Sequence, residues 1–134
     1  MKQPIDRKAI GKRVRKRGNT YELKIIHELT DLGFKNLSSS RSASKALDNQ
    51  KIDIYDPDNE LNFYVQCKAS KSTPNLEALN KEVGRKDKPL AVFWNKQGTM
   101  SKIKEFVCIP KSYFYKLISN EVVGENEAKD QDVE

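Results

Sequence analysis

Apolar residues recur at helical spacing early in the chain, at Tyr21, Ile25, Ile26, Leu29 and Leu32, and Gly33 closes the pattern. With Asn19 as a side-chain cap, the spacing predicts a first helix from Thr20 to Leu32. Phe34 to Leu37 opens a strand, and Ser38 to Ser44, rich in serine and carrying Arg41, reads as a flexible connection. Ile52 and Ile54 alternate with Asp53, residues Asp56, Pro57, Asp58 and Asn59 favour a turn, and Asn62 to Ala69 reads as a second strand, so a hairpin is expected. Leu76, Leu79 and Val83 share a helical face, while Pro89 to Trp94 and Phe106 to Ile109 are apolar runs of strand length. Lys111 to Ser119 forms a closing helix behind Pro110, with Tyr113, Phe114, Leu117 and Ile118 on its apolar face. The resulting order, α-β-β-β-α-β-β-α, predicts an α/β fold in which a hairpin precedes a crossover helix.

A length of 134 residues with 37% hydrophobic content supports one core. Charge divides the chain into a basic arm over 1–17, a domain over 18–120 and an acidic, disordered tail over 121–134. Lys and Arg total 25 against 19 Asp and Glu, a net charge of +6 that favours a polyanionic partner, nucleic acid first. Cys67 and Cys108 lie in apolar runs without zinc-ligand spacing and read as reduced thiols of a cytoplasmic protein. No stretch approaches the roughly 20 apolar residues of a membrane helix, so no membrane partner is expected.

Alternation along the second hairpin strand puts Phe63, Val65 and Cys67 on one face and Tyr64, Gln66 and Lys68 on the other. On the partner strand Ile52 and Ile54 point to the core, which turns Asp53 toward Gln66 and Lys68. Glu22 lies on the stripe Glu22, Ile25, Ile26, Leu29 that should face the sheet, and an inward carboxylate needs a partner. Mg²⁺ suits that role, because it takes oxygen ligands and commonly keeps waters beside one or two carboxylates. Plainer readings exist for each residue: a capping box for Asn19 and Glu22, a surface ion pair for Asp53, a solvent-facing position for Gln66. Together the residue types suit phosphodiester cleavage. Asp53, the Gln66 side-chain oxygen, the Cys67 backbone carbonyl and Glu22 would hold the cation. Lys68 would orient or deprotonate the attacking water, or neutralise charge developing on the phosphate.

This pattern resembles the PD-(D/E)XK nuclease superfamily over about Gly18 to Leu117, and "RGNTYELKIIHELTDLGF" looks like the opening helix of archaeal- and phage-type Holliday junction resolvases. The resemblance implies a restriction-endonuclease-like core, with a mixed central sheet flanked by helices. It also implies a homodimer that nicks four-way DNA junctions with Mg²⁺, Mn²⁺ substituting, in the cytoplasm or, for a phage protein, the host cytoplasm. It assigns Glu22, Asp53, Gln66 and Lys68 to catalysis and maps a serine of the preceding segment to Ser42 or Ser44. Gln66 departs from the acid usual in resolvases; "YVQCKAS" is closer to the Q-x-K variant of Mrr-like restriction nucleases. A neutral amide brings no formal charge, so weaker metal binding is expected.

The basic run, with Arg13, Arg15, Lys16 and Arg17, precedes Glu22 and is expected to contact DNA phosphates, as are Arg41, Ser42 and Ser44. His27 reads as a surface helix residue, and Val92, Phe93 and Trp94 as core or dimer interface. Alternatives to a junction resolvase are an Mrr-like or repair-type duplex nuclease and a non-catalytic nucleic-acid-binding module of the same fold.

Overall fold

The computed structural model describes residues 7–119; the first six residues and the acidic segment over 121–134 lie outside the described residues. Helix α1 spans Arg7–Asp31, a full 13 residues earlier than the apolar stripe alone predicts. Lys, Arg and Ala are good helix formers, so the basic run continues the helix instead of trailing from it as an arm. Asn19 is consequently an interior helical residue, and the expected cap and capping box with Glu22 do not form. Gly33 does end the helix: at φ 111° it sits in the left-handed region, and Phe34 N donates to Leu29 O at 3.2 Å while Gly33 N donates to Thr30 O at 3.0 Å. Both bonds satisfy carbonyls at the helix end in the Schellman arrangement.

Strand β1 is Ser38–Ser39, and it is followed by two short helices, α2 (Ser40–Ala43) and α3 (Lys45–Asn49). The serine-rich segment is therefore ordered, contrary to the flexible connection expected, and the strand predicted over Phe34 to Leu37 lies just beyond it. Its serines do backbone work: Ser40 is fully buried and its hydroxyl donates to Ile52 O, while Ser44 caps α3 by accepting from Leu47 N at 3.3 Å. Serine's competition for local backbone groups explains why such a segment supports caps and turns instead of a long strand.

Strands β2 (Ile54–Tyr55) and β3 (Tyr64–Ser70) follow, then α4 (Leu76–Glu82), β4 (Leu90–Lys96) and β5 (Glu105–Cys108). A last helix, α5, covers 111–119. The molecule is a mixed α/β protein with two small sheets where a single central sheet was expected. One is the antiparallel pair β1–β2, with Ser39 opposite Ile54; the other has the order β3-β4-β5, β3 parallel to β4 and β4 antiparallel to β5. Between the sheets the expected hairpin shrinks to one backbone bond, Asp53 N to Val65 O at 2.8 Å. Asp53 itself stops the ladder, since its backbone carbonyl accepts from Ser40 N at 2.9 Å and its carboxylate takes Cys67 N at 2.7 Å.

Two cores flank β3 and β4. On one side Tyr21, Ile25, Ile26 and Leu29 of α1 pack on Ile54, Val65 and Cys67; on the other, Leu47, Ile52, Leu79 and Val83 pack on Leu90 and Val92. Ile52 and Ile54 thus enter different cores, where alternation had put both on one side of the hairpin. β4, covered on both faces, reads as the continuous apolar run typical of a buried parallel strand. Only Tyr113 of the expected α5 apolar face packs inward, against Phe63; Phe114, Leu117 and Ile118 stay about half exposed. Among the described residues no helix is long and apolar enough to cross a membrane.

Candidate active site

The site grows from three elements. α1 brings Glu22 inward because it sits in the Tyr21, Glu22, Ile25, Ile26, Leu29 stripe, and only 5% of the residue remains exposed. Its carboxylate accepts from Ser39 Oγ and from Arg41 Nε, each at 3.2 Å. The Arg41 side chain is 39% exposed, so this ion pair is open to water on one side. Burial pushes the Glu22 carboxyl above its ordinary pKa, and the neighbouring Asp53 charge pushes it further, while Arg41 and Ser39 pull the other way.

Asp53 stands at the seam between the two sheets. Its backbone N–H is held by Val65 O and its carboxylate by Cys67 N, so it straddles the position of Gln66 on β3. Desolvation raises its pKa too; the Cys67 amide, then Lys68 and Arg41, lower it in part. The Cys67 thiol is pushed well up, by burial first and then by the charges of Asp53 and Glu22. Both carboxylates therefore act on one another's surroundings, on the thiol between them and on a shared arginine.

Gln66 is 5% exposed, which removes the solvent-facing alternative. Its side-chain oxygen is buried without a hydrogen-bond donor. An orphaned buried acceptor costs about 1–3 kcal/mol, so its presence beside two desolvated carboxylates leaves this region with more acceptor oxygens than donors. Lys68, two residues on, is half buried and electrostatically close to Asp53.

Asp53, Gln66, Lys68 and Glu22 thus converge around the middle of β3, with no printed bond between Gln66 and either acid. Ser42 and Ser44 do not join them: Ser42 Oγ donates to Ser39 O at 3.1 Å and Ser44 caps α3. The serine that touches the cluster is Ser39, which the sequence reading passed over, and it is delivered by β1 pairing with β2. Arg41 enters through α2 as a partner of Glu22. Among the described residues, no three His, Cys, Asp or Glu side chains form a metal-ligand group. The donors on offer are two carboxylates with amide and peptide oxygens. That all-oxygen set is the chemistry of a hard cation, and the unpartnered Gln66 oxygen fits one.

Of the basic run, Arg13, Lys16 and Arg17 line a groove of about 630 Å³ between α1 and the ends of β3 and β4, whereas the Arg15 guanidinium lies back toward Gly11. His27 is an exposed helix residue. Val92 and Trp94 are buried, and Trp94 Nε1 donates to Ser70 O at 3.1 Å. Comparison of the chain with protein-family models, with curated proteins and with solved structures finds no match.

Proposed function

We propose that this protein is a Mg²⁺-dependent endonuclease acting on branched DNA, with a restriction-endonuclease-like core and the activity of a Holliday junction resolvase. The observation that carries the proposal is the surplus of buried oxygen acceptors around β3: two desolvated carboxylates, Glu22 and Asp53, beside the donorless Gln66 oxygen. Asp53, Gln66 and Glu22, with the Cys67 backbone carbonyl, would hold Mg²⁺ or Mn²⁺. Such a cation, when bound, polarises a phosphate oxygen and makes water a stronger nucleophile.

The protein's own groups do the rest. Cys67 N fixes the Asp53 carboxylate through a 2.7 Å bond, and Ser39 and Arg41 fix that of Glu22, so the acids meet substrate already oriented. Lys68, beside Asp53, supplies positive charge where the phosphoryl oxygens gain negative charge. The cations along α1 hold the backbone next to the cut. Two symmetric cuts need two sites, and a two-fold dimer supplies them; the half-exposed Phe106, Val107, Phe114 and Leu117 offer an apolar surface for it.

A second reading has its own support. Ser39 and Arg41 give Glu22 two donors without any metal, and Gln66 adds no charge, as a DNA-binding module that has lost catalysis would require. One panel separates the readings: four-way junctions, flaps and linear duplex, incubated with Mg²⁺, Mn²⁺ or EDTA. A resolvase cuts junctions in paired strands and only with metal. Equal cutting of linear duplex would make it an Mrr-like or repair nuclease, and junction binding without cleavage in either metal would make it a binding module.

A further inference from the structure

We propose that the groove beside the carboxylate cluster is a subsite for one unpaired nucleotide of the DNA, its base held inside and its phosphates on the rim. The inference rests on the nucleic-acid reading above and adds which feature of the substrate is recognised. The groove encloses about 630 Å³, within the range of roughly 300–1,000 Å³ that holds a small organic ligand and far beyond what an ion needs. Its rim is a helical stripe: Arg13, Lys16 and Arg17 are spaced i, i+3, i+4 on α1 and so share one face. Such a row suits successive phosphates.

Its interior is not built for phosphate. Tyr21 and Ala69 supply apolar floor, and Asn95 contributes a side-chain oxygen that is buried and has no hydrogen-bond donor. An acceptor oxygen repels an anion, but it matches an N–H on the Watson–Crick edge of a base. Every unpaired base offers one, so the subsite tolerates any base but not its absence. In a duplex those edges are paired and the faces stacked, so only an unstacked base can enter a concave apolar pocket.

Position joins the groove to the chemistry. Tyr21 precedes Glu22 on α1, and Ala69 follows Lys68 on β3, so the groove opens where the carboxylate cluster ends. A nucleotide seated there lies next to the strand segment facing the acids. Branch points supply unstacked nucleotides, and intact duplex does not.

The test is DNA binding by the full chain in EDTA, read by fluorescence anisotropy. Three DNAs are compared: a paired duplex, the same duplex with one bulged nucleotide, and that bulge made abasic. The bulge should bind about tenfold more tightly than the paired duplex, as base stacking and capture allow, and the abasic version should lose most of that gain. Asn95→Leu should erase the difference between base and abasic site while leaving paired-duplex affinity unchanged, and Asn95→Asp, which keeps an acceptor in the same shape, should restore it. Equal affinity of wild type for the bulge and its abasic counterpart overturns the proposal whatever the variants do. Binding all three DNAs alike removes only the subsite, whereas binding none removes the nucleic-acid reading beneath it.

Discussion

Replacing Glu22 by Gln should stabilise the metal-free protein. Glu22 keeps only 7% of its side-chain surface exposed, and its two hydrogen bonds are both 3.2 Å, at the long end of the normal range. Bonds to a charged group contribute about 1.5–3 kcal/mol at good geometry, and these are neither short nor fully buried on the arginine side. Against them stand the removal of a carboxylate from water, which costs several kcal/mol, and repulsion from Asp53. The raised pKa of Glu22 shows which side wins: folding disfavours its ionised form. Gln keeps the shape and both hydrogen-bonding ends without the charge. We expect a gain of about 0.5–1.5 kcal/mol, or about 2–5 °C in melting temperature, measured by circular dichroism at pH 7.5 in EDTA. The pH dependence follows from the same sign. A carboxyl whose folded pKa is raised favours folding below its unfolded pKa and loses that contribution as pH rises through the folded value. The variant and wild type should therefore converge near pH 4 and separate toward neutrality. Excess Mg²⁺ should reverse the order, since ligand binding stabilises only the protein that holds it. A variant less stable than wild type at pH 7.5 in EDTA would refute the reasoning, because the Arg41 pair would then outweigh desolvation.

Asp53→Ala strips the acceptor from the buried Cys67 amide and should cost about 1–3 kcal/mol by urea denaturation, whereas Asp53→Asn keeps an acceptor and should cost less. Both should lose cleavage. Lys68→Met should lower single-turnover cleavage by about 100-fold or more with junction affinity within about threefold of wild type, separating charge stabilisation from binding. Ile52→Ala, at a fully buried side chain in the second core, should destabilise by about 2–5 kcal/mol in chemical denaturation. Arg13→Ala should flatten the dependence of log binding constant on log salt by about 0.9, and an unchanged slope would remove that side chain from the phosphate contacts.

Much of this was legible in the sequence where periodicity and burial agree. The Tyr21 to Leu29 stripe, Gly33, the β4 run and the helix behind Pro110 are local signals, and each appears where the pattern put it. Glu22 stood out because a carboxylate on an apolar stripe violates the pattern, and burial bears out that it faces inward. What the sequence hid depends on tertiary choices. The start of α1 was misplaced because Asn19 is a good cap, yet Lys- and Arg-rich residues before it propagate helix equally well. The hairpin was over-read because Asp53 exchanges a backbone pairing for a side-chain bond to Cys67, a decision no alternation records. Ser39 and Asn95 carried no signal at all, since their meaning comes from β1 pairing with β2 and from the end of β4 meeting α1.

Titration calorimetry of Mn²⁺ into the protein goes to the heart of the matter. Wild type should bind the ion and release protons as its raised carboxyls ionise, Gln66→Glu should bind more tightly because it adds a carboxylate, and Asp53→Asn should bind weakly or not at all. No heat from wild type, with Gln66→Glu equally silent, would mean that these oxygens do not form a cation site.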